Sequence, residues 1–294
     1  MDILTNYTFQ IVALGSVILA VTAGPVGAFS VYKGQSLIGD AIGHATFPGI
    51  VLAYMAFATR DPAVLLLGAI AAAAVTFFAI QGAHENSRLG LNANLAIFLS
   101  GFFGLGMVLK SYIQGNPAYR GASQAGLETY IFGQAAYMLE ADVLLIAAVA
   151  VLTMTLLVLF YKELKVFVFD AEYAEAAGLP VELLRVLLPL LTVAVIGIGL
   201  KAVGSILISS FLIIPCVAAS QWSNDFSRVL FLSSLFGIAA ALAGTYVSTV
   251  EQGMSTGPSI ILAACAIAFF SLLLGKHGLL RTRQRRRKKG GRLS

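Results

Sequence analysis

Long apolar runs separated by short polar stretches fill most of this 294-residue sequence. Several runs approach the length of about 20 residues with which an α-helix crosses a bilayer. The seventh run follows only a tight turn at Lys201 to Gly204. A polar, glycine-rich stretch at 114–140 follows the fourth run, and we expect it to form a loop with a short surface or re-entrant helix. The pattern predicts an all-α, polytopic integral membrane protein with about nine transmembrane helices, at residues 8–32, 40–59, 62–83, 91–113, 141–161, 183–200, 202–220, 229–250 and 258–275.

The composition supports a membrane protein and excludes a soluble domain. Hydrophobic residues make up 59% and charged residues 11% of the chain, and the mean hydropathy is +0.88. Soluble domains carry about 25% charged residues. The cysteines, Cys216 and Cys265, lie inside apolar runs, where a small buried thiol is the ordinary interpretation. A disulfide framework is therefore not expected.

Basic residues are concentrated at the end of the sequence. The net charge is +5, and eight of the nineteen lysines and arginines lie within residues 281–292. A basic segment directly after a membrane helix marks the cytoplasmic side and contacts anionic lipid headgroups. We therefore expect membrane lipids, and no nucleic acid, as its partners. The chain divides into a transmembrane domain, residues 1–280, and a basic cytoplasmic tail, residues 281–294.

The segment FDAEYAEAAGLPVELL, residues 169–184, connects two predicted spans on the cytoplasmic side. Asp170 is a good N-cap, and Glu172 lies in the first turn, where a carboxylate is favourable. Gly178 can adopt the left-handed conformation that ends a helix, and Pro180 blocks its continuation. These signals predict a short helix at about 170–178. Two interpretations stay open: a capped connector, or a docking element that fits a groove in a partner.

Asp40 and His44 lie four residues apart at the head of the second apolar run. On a helix this spacing places them about 40° apart around the axis and about 6 Å apart along it, on one face. An ionisable side chain at membrane depth costs at least about 2.5 kcal/mol, so a function is the default hypothesis. The structural alternative is that Asp40 caps the helix and His44 bonds a neighbouring carbonyl. Pro48 is expected to bend the helix near His44, and small residues around the pair allow another helix to approach closely.

A carboxylate and an imidazole form a mixed oxygen and nitrogen ligand set that suits zinc, manganese or ferrous iron. Zinc usually takes four ligands, and octahedral ions take six. The other histidines, His84 and His277, fall at predicted cytoplasmic helix ends. A second copy of the Asp40–His44 pair across a two-fold axis would supply the missing ligands, so the ligand count predicts a dimer. We expect the face of this helix that continues to Phe47 and Val51 to meet the second copy.

Four stretches of the sequence carry a family resemblance: GQSLIGDAIGHATFPGIVLAY at 34–54, FDAEYAEAAGLP at 169–180, KAVGSILISSFLIIPCVAA at 201–219 and MSTGPSIIL at 254–262. Together they resemble the membrane permeases of ABC-type manganese, zinc and iron importers. The resemblance covers nearly the whole chain, and its first stretch is specific. One departure is Gly43, where many of these permeases have a serine that can bond near the ligands.

The resemblance implies a subunit of an importer in the plasma membrane of a prokaryote. Asp40 and His44 would grip the transported metal, with manganese favoured, then zinc, then ferrous iron, and no cofactor would be permanently bound. A second permease subunit, identical or paralogous, two copies of an ABC ATPase and an extracellular or periplasmic metal-binding protein would complete the system. The sequence contains no G-x-x-x-x-G-K-[ST] phosphate loop, so the chain would be no enzyme and the ATPase a separate polypeptide. The helix at 170–178 would be the coupling helix, with Asp170, Glu172, Tyr173, Glu175 and Gly178 as its key residues.

Two other functions fit a metal site in a membrane. An intramembrane metalloprotease requires a third ligand and a glutamate base beside an open metal position, and neither is visible in an apolar run. A proton- or ion-coupled secondary metal transporter requires further intramembrane carboxylates and an inverted repeat. No carboxylate other than Asp40 is clearly inside the predicted membrane region, and no inverted repeat is evident. The secondary transporter is the stronger of these alternatives.

Overall fold

The computed structural model describes residues 6–59, 61–116, 138–251, 254–278 and 280. The loop predicted within 114–140 falls largely outside these residues, as does the basic tail 281–294. The described residues form helices and no strands, so the predicted all-α membrane fold is confirmed. In chain order the helices are α1 Tyr7–Tyr32, α2 Ser36–Phe57, α3 Pro62–Asn86, α4 Leu91–Gly115, α5 Glu140–Leu159, α6 Tyr161–Phe169, α7 Ala171–Ala176, α8 Val181–Ala202, α9 Ser205–Ser220, α10 Phe226–Val250 and α11 Thr256–Leu274.

Among the described residues, 8 helices are long and apolar enough to cross a membrane: α1 to α5, α8, α10 and α11. The seventh predicted span is the shorter helix α9, which has 16 residues. At 1.5 Å per residue α9 is about 24 Å long, less than the hydrocarbon core of about 30 Å. The turn before α9 is buried, with Gly204 at φ +93°, and Gly199 just ahead of it packs against Leu19 in the middle of α1. Helix α9 therefore begins inside the bundle.

Helix α1 is one of the most buried spans and crosses α10 at close range. A Cβ atom at Gly24 would lie 2.7 Å from the backbone nitrogen of Ser234, so glycine is required at this contact. Pro25 has no N–H to donate to the carbonyl of Val21. The hydroxyl of Ser234 donates to that carbonyl at 3.2 Å. Helix α10 thus satisfies the backbone group that the proline in α1 leaves free.

Helix α2 is held in part by glycines on α3 and α4, two of the helices that pack against it. A Cβ atom at Gly68 on α3 would lie 2.5 Å from the carbonyl oxygen of Gly49. A Cβ atom at Gly106 on α4 would lie 2.6 Å from the ring of Phe47. Such contacts allow helix backbones to approach closely without a hydrophobic driving force between them. They fix the position of α2 and of the Asp40–His44 pair on it.

The two short helices α6 and α7 lie at one end of the bundle, which we call the α7 end. Helices α2, α4, α8 and α10 begin at this end, and α1, α3, α5, α9 and α11 finish there. The hydroxyl groups of Tyr161 on α6 and Ser227 on α10 are 2.6 Å apart. A cluster of edge-to-face and tilted aromatic contacts joins α1, α6 and α10 at the same level, formed by Phe29, Tyr32, Tyr161, Phe169 and Phe226.

Candidate metal site and docking helix

Asp40 and His44 face each other on consecutive turns of α2. The His44 Nε2 and Asp40 Oδ1 atoms are 3.6 Å apart. Two ligand atoms at about 2.1 Å from one tetrahedral zinc ion are roughly 3.4 Å apart, so this separation fits a shared metal after a small movement. The pair can therefore supply one oxygen and one nitrogen to a single ion.

Asp40 and His44 are also the open positions of an otherwise buried helix segment. All residues from Ile38 to Val51 are buried except Asp40 and His44, whose side chains are 33% and 15% exposed. Leu37, one turn before Asp40, is 47% exposed. Residues at these spacings share a helix face. Between Ile38 and Val51, the face of α2 that carries Asp40 and His44 is therefore the one that the described residues leave uncovered.

The predicted continuation of this face is wrong. Phe47 and Val51 are fully buried within the chain, and Phe47 packs against Gly106 and near the ring of Phe103 on α4. The reason is the close approach of α4 that Gly106 allows. The uncovered face runs from Leu37 through Asp40 to His44 and ends there.

Ser209 on α9 contacts the candidate site, and its role there was not predicted from the sequence. Its hydroxyl donates a hydrogen bond of 2.9 Å to Asp40 Oδ1, and the residue itself is buried. A bond of this kind orients a ligating carboxylate. The sequence pointed to this region only through the family resemblance of the stretch 201–219, in which Ser209 lies. Because position 43 of α2 is a glycine, it offers no hydroxyl to the pair. Ser209 of α9 provides a hydroxyl to Asp40 instead.

The imidazole of His44 is incompletely satisfied within one chain. The ring of Phe103 contacts it edge-to-face with centroids 5.0 Å apart. Its Nδ1 atom is buried and has no hydrogen-bond partner among the described residues. A buried polar atom without a partner costs about 1–3 kcal/mol. This favours a site that is completed by a group from outside the described chain.

The described part of the chain offers no third ligand near the pair. No group of three or more His, Cys, Asp and Glu residues in it could hold a metal ion. His84 is exposed in the last turn of α3, and His277 follows α11 with its backbone N–H bonded to Gln221. Among the described residues, Asp40 and His44 are therefore the two candidate metal ligands at this place.

Helix α7 has the ends that its sequence predicts. The side chain of Asp170 accepts a 2.9 Å hydrogen bond from the backbone N–H of Tyr173. Gly178 has φ +76°, its N–H bonds the Glu175 carbonyl, and the next N–H, of Leu179, bonds the Ala174 carbonyl. This paired arrangement is the Schellman motif, which satisfies the last carbonyls of a helix. The predicted caps at Asp170 and Gly178 are confirmed.

The surface of α7 is polar with one aromatic side chain. Ala174 is fully buried against the rest of the chain, while Glu172 and Glu175 are exposed. Tyr173 is 62% exposed. An exposed tyrosine between carboxylates on a rigid helix has the chemistry of an interface anchor.

Lys33 connects the α7 end to the turn that precedes α2. Its Nζ atom donates to the Phe167 carbonyl of α6 at 3.0 Å and lies 3.9 Å from the centre of the Phe167 ring. Burial lowers the pKa of Lys33, and the nearby Arg185 guanidinium lowers it further. The environment of Lys33 disfavours its charged form, and the two contacts with Phe167 offset this. The same contacts join α6 to the turn that leads into α2.

The fold and the candidate site define a polytopic membrane protein with a carboxylate and an imidazole side by side on one of its spans. A sequence model of the ABC 3 transport family matches residues 5–275. The chain therefore belongs to the ABC 3 transport family, and the resemblance to metal ABC permeases noted in its motifs is confirmed.

Similar proteins agree with this assignment over most of their length. The zinc transport system membrane protein TroC of Treponema pallidum is 38% identical over 289 residues, which cover 98% of this chain and 96% of TroC. The manganese transport system membrane protein MntC of Bacillus subtilis is 36% identical over 92% of this chain, which spans 62% of that relative. The solved structure of PsaBC from Streptococcus pneumoniae in complex with Fab superposes with a TM-score of 0.81 at 27% identity, covering 93% of this chain and 94% of that one.

Proposed function

We propose that this chain is the transmembrane permease subunit of an ATP-driven importer of divalent transition-metal ions, in which Asp40 and His44 from each of two subunits bind the metal. The observation that carries the proposal is the uncovered face of α2. Within residues 38–51 of α2, the two side chains that are not buried are the two able to ligate a metal, and they lie 3.6 Å apart. Burying ionisable groups in a membrane bundle is costly unless they serve a function.

The second permease subunit follows from what one chain lacks. Asp40 and His44 provide two ligands, and the described residues provide no cluster of three. A second α2 across a two-fold axis would bring the same face into contact with itself, as an isologous interface requires. The resulting two carboxylates and two imidazoles suit tetrahedral zinc, or manganese with added water or bidentate carboxylates.

The transported metal is proposed in the order manganese, zinc, ferrous iron. One similar protein is named for zinc transport and another for manganese transport. Neutral imidazole and carboxylate ligands accept each of these ions, so the ligand types alone do not separate them. The metal is cargo, and the chain holds no permanent cofactor.

ATP hydrolysis is proposed to reside in two copies of a separate ATPase that dock on α7. The α7 end then faces the cytoplasm of the cell, as does the C-terminus, and an extracellular or periplasmic metal-binding protein delivers the ion at the other end. Exposed Tyr173 is the proposed anchor in the ATPase groove. Lys33 bonds α6, which leads directly into α7, and it lies just before the turn into α2. Movement of α7 would therefore be transmitted through α6 and Lys33 to the start of the helix that carries Asp40.

The ion-coupled alternative gains no support from Asp142, which lies in a described membrane-spanning helix. Asp142 is the buried acidic residue of α5, and its side chain accepts the backbone N–H of Leu139 at 2.7 Å. This bond belongs to the first turn of α5 and satisfies a helix end. Asp142 therefore has a structural role where a coupling-ion site would need a free carboxylate.

The test is metal uptake by cells that express the complete transport system with Asp40→Asn or His44→Gln as the permease. Each substitution removes half of the ligands that one chain contributes, so we expect uptake of manganese and of zinc to fall to background while the subunit stays in the membrane. Glu182→Gln and His84→Gln are matched controls, because both residues are exposed at the α7 end. Uptake at the control level in either site variant would contradict the proposed metal site.

A further inference from the structure

We infer that a pocket at the α7 end binds the headgroup of an anionic phospholipid. The pocket is an open depression with a volume of about 390 Å³, and it lies between the ends of α9 and α11 and the first turns of α10. We call it the headgroup pocket. It is lined by Trp222, Ser223, Arg228, Leu232, Phe236 and Lys276.

The walls of the headgroup pocket are fixed by contacts between its elements. Arg228, Leu232 and Phe236 follow one another at four-residue spacing and share a face of α10. The backbone N–H of His277 donates to the Gln221 carbonyl at 3.0 Å. A Cβ atom at Gly275 would lie 2.7 Å from Gln221, so the chain after α11 packs tightly on the turn that carries Trp222.

The pocket changes from apolar to cationic along the direction in which a phospholipid lies. Leu232 and Phe236 are half-buried and stand on the second and third turns of α10, a helix long and apolar enough to span a membrane. Arg228 and Lys276 are exposed at the outer rim. Arg228 also pairs with Asp225 at 3.6 Å, but this ion pair is exposed, and such pairs contribute little. Basic pockets between membrane helices on the cytoplasmic side have the chemistry that recognises phosphate headgroups.

Trp222 provides a second, independent indication of a ligand. Its Nε1 atom is buried and has no hydrogen-bond partner in the part of the chain that the structure describes. The indole N–H is only a donor, and a phosphate or ester oxygen of a lipid can accept its hydrogen bond. Tryptophan favours the interface between bilayer and water for the same reason, since one end of the ring is apolar and the other is polar.

The charge and depth of the headgroup pocket favour a lipid over other occupants. The basic segment 281–292 carries eight positive charges, so Arg228 and Lys276 repel it. A soluble partner from the cytoplasm can reach the cationic rim but not Phe236, which lies two turns further along the span α10. An anionic lipid meets both requirements. The inference uses the orientation proposed above but does not depend on metal transport.

The test uses the fluorescence of Trp222, because the chain contains 1 tryptophan. The purified full-length protein is placed in nanodiscs in which phosphatidylglycerol or phosphatidylcholine carries bromine near the top of the acyl chain. We expect brominated phosphatidylglycerol to quench Trp222 at about fivefold lower mole fraction than brominated phosphatidylcholine, since one basic residue near the surface gives an attraction of that order. Equal quenching by both lipids would overturn the inference.

Variants distinguish the pocket from other sources of attraction. Arg228→Gln with Lys276→Gln should bring the two lipids to equal quenching, whereas Arg88→Gln, at an exposed arginine outside the pocket, should leave the preference intact. A full-length chain with glutamine at the basic positions of 281–292 should also keep the preference. If neutralising this segment abolishes the preference, the lipid does not bind in the pocket as inferred.

Discussion

The candidate metal face of α2, which carries Asp40 and His44, and the proposed docking helix α7 are built in opposite ways. Helix α7 is complete by itself: Asp170 satisfies its first turn, and Gly178 and Leu179 satisfy its last carbonyls. The α2 face depends on other helices, because α3 and α4 position it and Ser209 of α9 orients Asp40. A short element that meets a separate protein needs a shape of its own. A site that is shared between subunits needs a rigid support and an open side.

The largest effect should come from breaking the support of α2. In Gly49→Val the new side chain would overlap Gly68 and come within 2.5 Å of the Cβ atom of Ala72. Overpacking of this kind typically costs about 1–3 kcal/mol, so we expect a marked loss of thermal stability and of metal uptake together. Gly82→Val is the control, because a Cβ atom there would have nothing within 4 Å. Melting of the purified protein measures the difference, and equal melting of both variants would contradict the close α2–α3 contact.

A smaller and more selective effect is expected at Ser209. Ser209→Ala removes the 2.9 Å hydrogen bond to Asp40 without changing the packing of α9. Loss of such a bond to a ligand typically weakens metal binding by about 10–100-fold. Isothermal titration of the assembled complex with manganese should show this loss, with Ser210→Ala as the neighbouring control. Unchanged affinity in Ser209→Ala would show that the bond does not serve the site.

The smallest effect should come from the end of α7. Gly178 has φ +76°, which costs a residue with a Cβ atom roughly 1–2 kcal/mol. In Gly178→Val we expect weaker docking of the ATPase while metal binding stays unchanged, because α7 and the α2 face are separate structures. Gly178→Asn is the graded control, since asparagine tolerates this conformation better. Co-purification of the ATPase with each variant measures the effect, and equal recovery from Gly178→Val and wild type would argue against docking at α7.

The same contrast explains what the sequence could predict. The caps of α7 are interactions between residues a few positions apart, so Asp170 and Gly178 were identifiable from their order alone. The pairing of Asp40 with His44 also follows from helical spacing. Ser209 could not be identified, because its contact with Asp40 joins residues 169 positions apart.

Burial set the other limit on prediction from the sequence. Helical spacing places Phe47 near the face of His44, but it does not show that α4 approaches closely enough at Gly106 to cover it. Likewise, the apolar run of α9 resembles the other spans, yet the buried turn at Gly204 starts the helix inside the bundle. Both features depend on packing between helices far apart in the sequence.

The metal content of the purified complex tests the central claim most directly. If Asp40 and His44 from two permease subunits share one ion, the complex saturated with manganese or zinc should retain one tightly bound ion for each pair of permease subunits after desalting. His44→Gln should abolish that ion, and the exposed control His84→Gln should retain it. One ion for each permease chain, or an ion that survives His44→Gln, would contradict the shared site.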